Sequence, residues 1–580
     1  MHEIKLLFEY IDYLGKKNPL TFKNPKKIII AKTVDEVLPC LEKVETAIEE
    51  GYYAAGFLTY EAAPAFDRAF KVNYHGNMPL LWFGVFDEPV NEPLKGIGAF
   101  HVSEWKPSVS VEEYKANIGK IKDYIENGDT YQVNYTIRFD AHFTGNAEVF
   151  YKQLAQAQSA GYAAYLNTGD HSILSASPEL FFQLNDGKIT TRPMKGTVKR
   201  GKTAEEDIQL ADWLYHSEKN RAENVMIVDL LRNDLGTIAK TGTVEVPQLF
   251  TIEQYPTVYQ MTSTVTAEVV DKSLVDIFKA LFPCGSITGA PKVNTMKIIN
   301  ELETMPRNVY CGTIGYVTPN KEAVFNVPIR TVIIDNKTGD AVYGVGGGVT
   351  WDSKADDEYN EVLTKTKLLK ELPTSFELLE TMRLVNGNYT VYENHFERLR
   401  NSAAFFSFHL NEKEIHNQLS TIAKKHSVGN FRVRLLVMKN GMFSIKITPF
   451  QIGKGLPLQA VLAKEPIHPD NIFLYHKTTN RTVYQRFQEQ HPNAFDVLLW
   501  NTNWELTEFT LGNVVVELGG ELVTPPIECG LLPGTYRQKL LKEGKIRERK
   551  VTVDNLDDCT RIWLINSVRE WVEIRLPIDV

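Results

Sequence analysis

The sequence predicts an α+β fold in more than one domain, and three observations predict it. Strand and helix patterns follow one another irregularly, without the strand–helix–strand period that builds a parallel doubly wound sheet. Tight-turn signals such as Asn185-Asp186-Gly187 and Lys439-Asn440-Gly441 join neighbouring strand patterns, as in antiparallel hairpins. The chain, at 580 residues, also exceeds what one hydrophobic core usually serves.

The run 173–184 reads as a strand, and Asn185-Asp186-Gly187 returns it into a second strand over 188–192. Thr203-Ala-Glu-Glu206 has the form of a capping box and opens a helix to Leu214. A second helical period covers 220–232. A third runs from 355 to 372, where Pro373 stops it, since proline has no N–H to donate. A new apolar segment starts at Phe376, so the domains are expected at 1–372 and 373–580, one large and one medium. In the second, Lys439-Asn440-Gly441 joins strands over 431–438 and 442–450, and Gly519-Gly520 joins strands over 513–518 and 521–524. Helical patterns cover 395–408 and 534–541.

Composition narrows the class. Hydrophobic residues are 43% and charged residues 23%, which suits a folded globular chain rather than a disordered one. Lys and Arg number 64 against 72 Asp and Glu, and this net acidity offers no long-range attraction to nucleic acid. No stretch approaches the ~18 apolar residues of a membrane span, and Met1-His2-Glu3-Ile4-Lys5 lacks the form of a secretory signal. The five cysteines are far apart with no CxxC pair, so they are expected as buried apolar side chains, not as zinc ligands or disulfides. The expected location is cytoplasmic.

Several residue patterns carry chemistry. In Gly344-Val-Gly346-Gly347-Gly348 the third glycine of GxGxxG would fall at Val349, and GxxxxGK[ST] is absent, so no nucleotide loop is predicted. Either something approaches this backbone closely or the run is a glycine-rich turn. Glu358, Glu361 and Lys365, at i, i+3 and i+7, share one helix face. They suit a hard cation beside an anionic ligand, or an ordinary solvated face. Lys195, between Pro193 and Gly196, could be a desolvated amine nucleophile or a surface lysine. In the second half, Lys477, Glu508 and Gly534-Thr535 could supply a Schiff-base lysine, an acid for a pyridine nitrogen and a phosphate-binding helix start, or only surface charge and turns.

Taken together, Ser177-Pro-Glu179-Leu-Phe-Phe, Arg192-Pro-Met-Lys195-Gly-Thr197, Lys219-Asn-Arg-Ala-Glu223 with its continuation to Asp234, Phe282-Pro-Cys-Gly-Ser-Ile-Thr288-Gly289-Ala-Pro-Lys292, Ile329-Arg330-Thr331, Gly346-Gly-Gly348 and Glu358-Tyr-Asn-Glu361 resemble the chorismate-utilising enzymes, in family order from about Gly51 to Leu372. The resemblance implies a large two-lobed domain with Glu223, Glu358 and Glu361 at Mg²⁺. It also implies that Thr197, Thr288, Gly289, Tyr316, Arg330, Gly347, Gly348 and Lys365 line the chorismate pocket, with Lys195 as nucleophile. Anthranilate-forming members usually carry alanine where Lys195 stands, and water-adding members a lysine where Gln132 stands, so the pair resembles the ammonia-using, para-directed branch. That branch makes 4-amino-4-deoxychorismate. One departure is Gln260 in Val258-Tyr-Gln260-Met-Thr-Ser263, where related synthases often carry histidine, which leaves the acid for the departing hydroxyl unassigned. No cysteine stands in a GxCxG elbow, so ammonia is expected from solution or from a separate glutamine amidotransferase subunit.

The second half resembles the class IV pyridoxal phosphate aminotransferases from about Phe376 to Trp571, through Leu379-Glu380-Thr381-Met-Arg383, His395-Phe-Glu-Arg398, His476-Lys477, Leu506-Thr-Glu508, Leu531-Leu-Pro-Gly534-Thr535 and Asn566-Ser567. The resemblance implies a mixed α/β fold in which Lys477 holds pyridoxal 5'-phosphate, Glu508 meets its pyridine nitrogen, and Arg398, Thr535 and Ser567 contact its phosphate. It also implies a homodimer through this domain. The fusion favours a lyase that removes pyruvate from the first domain's product to give 4-aminobenzoate, a folate precursor. The alternatives are an anthranilate-type synthase joined to an amino-acid transaminase, and a non-catalytic scaffold for a glutaminase.

Overall fold

The computed structural model describes residues 3–11, 17–74, 78–90, 92–158, 160–369, 375–451 and 457–576. The expected boundary at Pro373 lies outside the described residues. The chain forms two compact units, one of Met1–Lys199 with Ala211–Pro373, the other of Arg200–Leu210 with Thr374–Val580. The short stretch Arg200–Leu210, read from sequence as part of the first domain, thus groups with the second unit.

The first unit is built on two ten-stranded sheets whose strands, among the described residues, pair antiparallel. Their facing sides share one core: Leu6, Phe8, Tyr162, Leu166 and Ile173 of one sheet pack with Ala55, Phe57, Trp82, Phe86 and Ile314 of the other. Helices cover the outer faces. Val34–Glu49 and Leu274–Leu281 bury Val37, Leu41, Val44, Ile277 and Phe278 against one sheet. Val111–Glu126, Ala147–Gln158 and Lys292–Leu302 do the same on the other.

Local chemistry explains where elements end. The strand expected over 173–184 is two strands, His171–Ser177 and Leu180–Asn185. They separate at Pro178, which cannot donate to a ladder, and the Ser177 hydroxyl accepts the Glu179 N–H at 3.2 Å across the break. At the next turn Asp186 and Gly187 both adopt positive φ, +48° and +71°, as a tight hairpin requires. The Thr203 box is half made: Glu206 N–H bonds the Thr203 hydroxyl at 3.2 Å, but the Glu206 carboxylate accepts from Lys202 N–H instead. The helix expected over 355–372 is Ala355–Thr366 followed by a tighter turn, Lys367–Leu369. The glycine run is no turn: it lies within the strand Asp340–Val349.

Beneath that strand sits a buried ionic knot. Arg307 binds both oxygens of Glu303, at 3.0 and 2.6 Å, and Arg138 approaches the same carboxylate at 3.3 Å. Burial works to raise the Glu303 carboxyl, and Arg307 and Arg138 outweigh it and hold it low. Arg307 also donates to the carbonyls of Ile287 and Asn134, each at 2.8 Å, tying together the two backbones that flank Gln132 and Thr288.

The second unit holds a four-stranded sheet, centred on Leu378–Val385 and Asn430–Val437, and a mixed eight-stranded sheet with parallel pairs at Leu458–Leu462. Helices Tyr392–Phe406 and Glu412–Lys425 pack Phe396, Leu399, Ile415 and Leu419 against the smaller sheet. The hairpins turn at Gly441, φ +86°, and at Gly519 and Gly520, φ +61° and +80°. No helix among the described residues is long and apolar enough to cross a membrane.

Replacing Glu303 by alanine strands two buried guanidinium groups, and the expected cost is about 3–5 kcal/mol. Denaturant unfolding of the full chain checks this; a loss below about 1 kcal/mol, as for a surface pair, contradicts it.

Candidate active sites

In the first unit the strand Asp340–Val349 pairs along its length with Gln132–Gly145, placing Gly346, Gly347 and Gly348 opposite Thr136, Tyr135 and Asn134. Each glycine has its own reason. A Cβ at Gly346 would lie 2.1 Å from the Tyr135 carbonyl oxygen. One at Gly348 would lie 2.0 Å from Gln132 Nε2 and 2.9 Å from Lys195 Nζ. At Gly347 a Cβ would be tight rather than blocked, with Glu358 Oε2, Lys365 Nζ and Glu361 Oε1 at 3.3, 3.7 and 3.8 Å. Bare backbone is therefore what lets the polar groups close in.

Lys195 lies on the strand Met194–Lys199, half-buried. Burial lowers its pKa, against the pull of Glu223 and Glu179. Glu179, 3% exposed, accepts the Ser286 hydroxyl at 2.6 Å. Burial raises its carboxyl to about 7, with Ser286 and Lys195 opposing. An amine pushed toward neutrality beside a carboxyl that titrates near neutral pH can exchange a proton. Gln132 is fully buried, and among the described residues neither end of its amide has a partner. A buried amide unmet on both sides is costly and marks a place where a ligand belongs.

On the helix Ala355–Thr366, Lys365 donates to the Gly346 carbonyl at 2.8 Å and pairs with Glu361 at 2.5 Å, holding that carboxyl low. Glu358 accepts from Ser353 at 2.6 Å and is raised by burial. Arg330, in the left-handed region at φ +54°, donates to the Lys365 carbonyl at 3.4 Å. Glu223 is raised by burial, with Lys195 and Lys219 opposing and Glu361 adding. No three His, Cys, Asp or Glu side chains among the described residues gather as a metal site. Glu358 and Glu361 nevertheless face one spot, and two carboxylates suit an ion such as Mg²⁺ that keeps much of its water.

Four expected pocket residues have contacts of other kinds, Gly289 among them directly against Gln132. Tyr316 instead packs its ring on Phe8, Tyr10 and Phe22 in the core between the sheets. Thr288 is fully buried and its hydroxyl is spent on the Cys284 and Gly285 carbonyls, each at 3.2 Å. Gly289 is a glycine because a Cβ would lie 2.0 Å from the Gln132 carbonyl. Thr197 is exposed and accepts from Gln260 Nε2 at 3.3 Å. Conversely, Glu179, which acts on Lys195, and Ser286, which bonds Glu179, were left without a role by the sequence reading.

The second unit has its own half-buried lysine. Burial lowers Lys477 to about 7; Arg398 and Arg481 add to this, and Glu380 and Glu508 oppose it. Glu508, 3% exposed, is raised to about 7 by burial. It is fixed by the Tyr484 hydroxyl at 2.6 Å, the Leu532 N–H at 3.1 Å and the Asn513 amide at 3.1 Å. Arg398 is committed bidentately to Glu380 at 2.9 and 2.7 Å, and His395 Nδ1 joins the same carboxylate at 2.6 Å. Burial would raise Glu380, but Arg398 and His395 hold it at about 2. Thr535 opens the helix Thr535–Lys542 and sits 3.4 Å from His395 Nε2. Ser567 donates to the Thr381 carbonyl at 3.3 Å. Glu380, His395 and Tyr484 had no assigned role in the sequence reading; Glu380 and His395 lay inside its motifs.

Comparison with known proteins finds relatives of both halves of the chain. Residues 92–371 match the model of the chorismate binding enzymes, and residues 377–576 that of the class IV amino-transferases. The chain joins a chorismate binding enzyme domain to a class IV aminotransferase domain. Over 272 residues it is 42% identical to aminodeoxychorismate synthase component 1 of Escherichia coli, a match covering 47% of this chain and 60% of the relative. Over 266 residues it is 38% identical to anthranilate synthase component 1 of Aquifex aeolicus, covering 46% of this chain and 53% of that one. The crystal structure of anthranilate synthase component I from Streptococcus pneumoniae superposes with a TM-score of 0.52 at 25% identity, covering 64% of this chain and 91% of that one. The chain spans less than two thirds of the length of these curated relatives. The class IV domain implies pyridoxal phosphate as cofactor, and the lysine, the buried acid and the helix start suit that group.

In the cofactor-free chain the Lys477 amine, displaced to about 7, is neutral above that pH. Its acetylation, followed by peptide mass spectrometry, should level off just above pH 7. A rate still climbing toward the ~10.4 of an ordinary lysine contradicts the burial argument.

Proposed function

We propose that the two domains catalyse consecutive reactions. The first converts chorismate and ammonia to 4-amino-4-deoxychorismate, and the second removes pyruvate to leave 4-aminobenzoate for folate synthesis. The observation that carries this reading is the first site: Lys195 with depressed basicity, beside Glu179 and beneath an unpartnered Gln132. The similarity to aminodeoxychorismate synthase component 1 supports it.

In this reading Glu179 takes the ammonium proton of Lys195. The freed amine adds to C2 of chorismate, the ring double bonds shift, and the C4 hydroxyl leaves as water with a proton. Ammonia then adds at C4, the double bonds shift back, and Lys195 departs from C2. One difficult displacement becomes two easier ones. Glu179, titrating near neutral pH, is also a reasonable source of the proton for the hydroxyl, a role Gln260 cannot fill. Mg²⁺ on Glu358 and Glu361, with Glu223 alongside, would meet a substrate carboxylate and offset its charge. Arg330 and Lys365 supply fixed positive charge for the same purpose. Ammonia would come from a separate glutamine amidotransferase subunit in the cytoplasm.

In the class IV domain Lys477 would hold pyridoxal phosphate, Glu508 its pyridine nitrogen, and Arg398, Thr535 and Ser567 its phosphate. Bound there, the cofactor supplies an electron sink for the carbanion left when a C–H bond breaks. Lys477, with its amine near neutral pKa, is the group that takes the C4 proton of aminodeoxychorismate before pyruvate leaves. A homodimer through this domain is part of the proposal.

The test is product analysis with chorismate, an ammonium salt, Mg²⁺ and pyridoxal phosphate. The full chain should release 4-aminobenzoate and pyruvate in equal amounts. Lys477→Ala should stop at aminodeoxychorismate, and Lys195→Ala should lose about a hundredfold or more in forming it. Undiminished para product from Lys195→Ala overturns the covalent route. Anthranilate from the unaltered chain would favour the reading that its 38% identity to an anthranilate synthase component 1 suggests, an anthranilate-type synthase joined to a transaminase.

A further inference from the structure

We infer that the peptide Arg200–Leu210, from the chorismate-binding half of the sequence, is a working part of the class IV unit, in which Arg200 and Asp207 position Lys477 through Phe405 and His476. The inference rests on the reading of Lys477 as the cofactor lysine. The peptide precedes the class IV family match at 377–576 by more than one hundred and fifty residues of sequence, yet groups with that unit.

Arg200 is buried. Its Nε and Nη2 grip the two oxygens of Asp207 at 2.8 and 2.6 Å, and the Gly201 N–H adds a third bond to Asp207 at 2.8 Å. Nη2 also donates to the Phe405 carbonyl at 2.9 Å, and the guanidinium lies 4.3 Å over the Phe405 ring. Phe405 stands at the carbonyl end of helix Tyr392–Phe406, where a cation meets unpaired carbonyls and the negative end of the helix dipole. That same helix carries His395 and Arg398 to the Glu380 carboxylate.

From Phe405 the contacts run directly to the lysine. The Phe405 ring meets the His476 imidazole at 4.3 Å, and Ser402, one turn back on the helix, bonds His476 Nδ1 at 3.0 Å. His476 is 4% exposed, and burial lowers it to about 4, so it packs as a neutral ring. The next residue is Lys477, whose carbonyl accepts the Leu379 N–H at 3.0 Å. The Lys477 backbone is therefore held by the strand Leu378–Val385 and by a histidine that rests on the residue Arg200 clamps. A surface tether would show solvated pairs such as Lys202 with Asp470, close at 2.8 Å but with the carboxylate exposed. The Arg200 pair is bidentate and desolvated, so losing either partner leaves a charge in the packing beneath His476.

The test uses the full chain loaded with pyridoxal phosphate and carrying Arg200→Lys or Asp207→Asn. The pH titration of the visible absorbance band of lysine-bound cofactor is read alongside cofactor loss on dialysis and thermal unfolding. Both variants should move the titration midpoint by about half a pH unit or more, and lose cofactor about threefold faster or more. An unmoved midpoint with unchanged retention in both variants overturns the inference. If both fail to fold, Phe405→Leu decides. It removes the ring between Arg200 and His476 while keeping apolar bulk, and an unmoved midpoint there overturns the inference equally. An unaltered chain with no such band would instead sink the cofactor reading itself.

Discussion

A lysine surrounded by protein rather than water loses much of its preference for the charged form, and both units are arranged around that single cost. Lys195, half-buried, comes in where the strand Asp340–Val349 presents backbone without side chains: a Cβ at Gly348 would lie 2.0 Å from Gln132 Nε2 and 2.9 Å from Lys195 Nζ. Lys477, also half-buried, follows the buried His476 and is held by its carbonyl to the strand Leu378–Val385, with two arginines adding to the effect of burial. In each case a buried carboxyl titrates at about 7 nearby, Glu179 for the first lysine and Glu508 for the second. Removing water shifts amines down and carboxyls up, so one physical cause brings both partners toward the pH at which protons can be exchanged.

The surrounding framework exists to keep that arrangement dry and fixed. The Arg138–Glu303–Arg307 knot ties the backbones that flank Gln132 to the loop at Ile287. The bidentate Glu380–Arg398 pair and the Tyr484 hydroxyl on Glu508 hold the second site in the same manner. These are charged groups whose only good partners lie inside the protein, which makes them poor neighbours for any alternative packing.

Much of this was legible in the sequence, and the pattern of what was not is physical. Turn chemistry is local, so the hairpins at Asn185-Asp186-Gly187, Lys439-Asn440-Gly441 and Gly519-Gly520 could be read directly. The shared face of Glu358, Glu361 and Lys365 follows from helix period alone. The glycine run was open between a closely approached backbone and a turn, because what decides it is the neighbouring strand Gln132–Gly145, more than two hundred residues earlier in sequence. Glu179 and Ser286 sit inside quoted motifs, but only the fold brings Glu179 to act on Lys195 and Ser286 to bond Glu179. Tyr316, expected at the pocket from the resemblance, shows what local sequence leaves open: its strand turns its ring toward Phe8, Tyr10 and Phe22 in the core between the sheets. Arg200–Leu210 looked like the start of a helix in the first domain, and no local signal tells that its arginine caps a helix two hundred residues later.

The central claim is that Lys195 is a neutral nucleophile toward chorismate, and covalent capture tests it most directly. The full chain is incubated with chorismate and Mg²⁺ without any ammonia source, quenched, digested and analysed by peptide mass spectrometry. The account predicts the dehydrated chorismate skeleton on the peptide bearing Lys195, lost again when ammonium is added before the quench. A chain that makes aminodeoxychorismate normally yet never carries that adduct, or carries it on another lysine, would contradict the account.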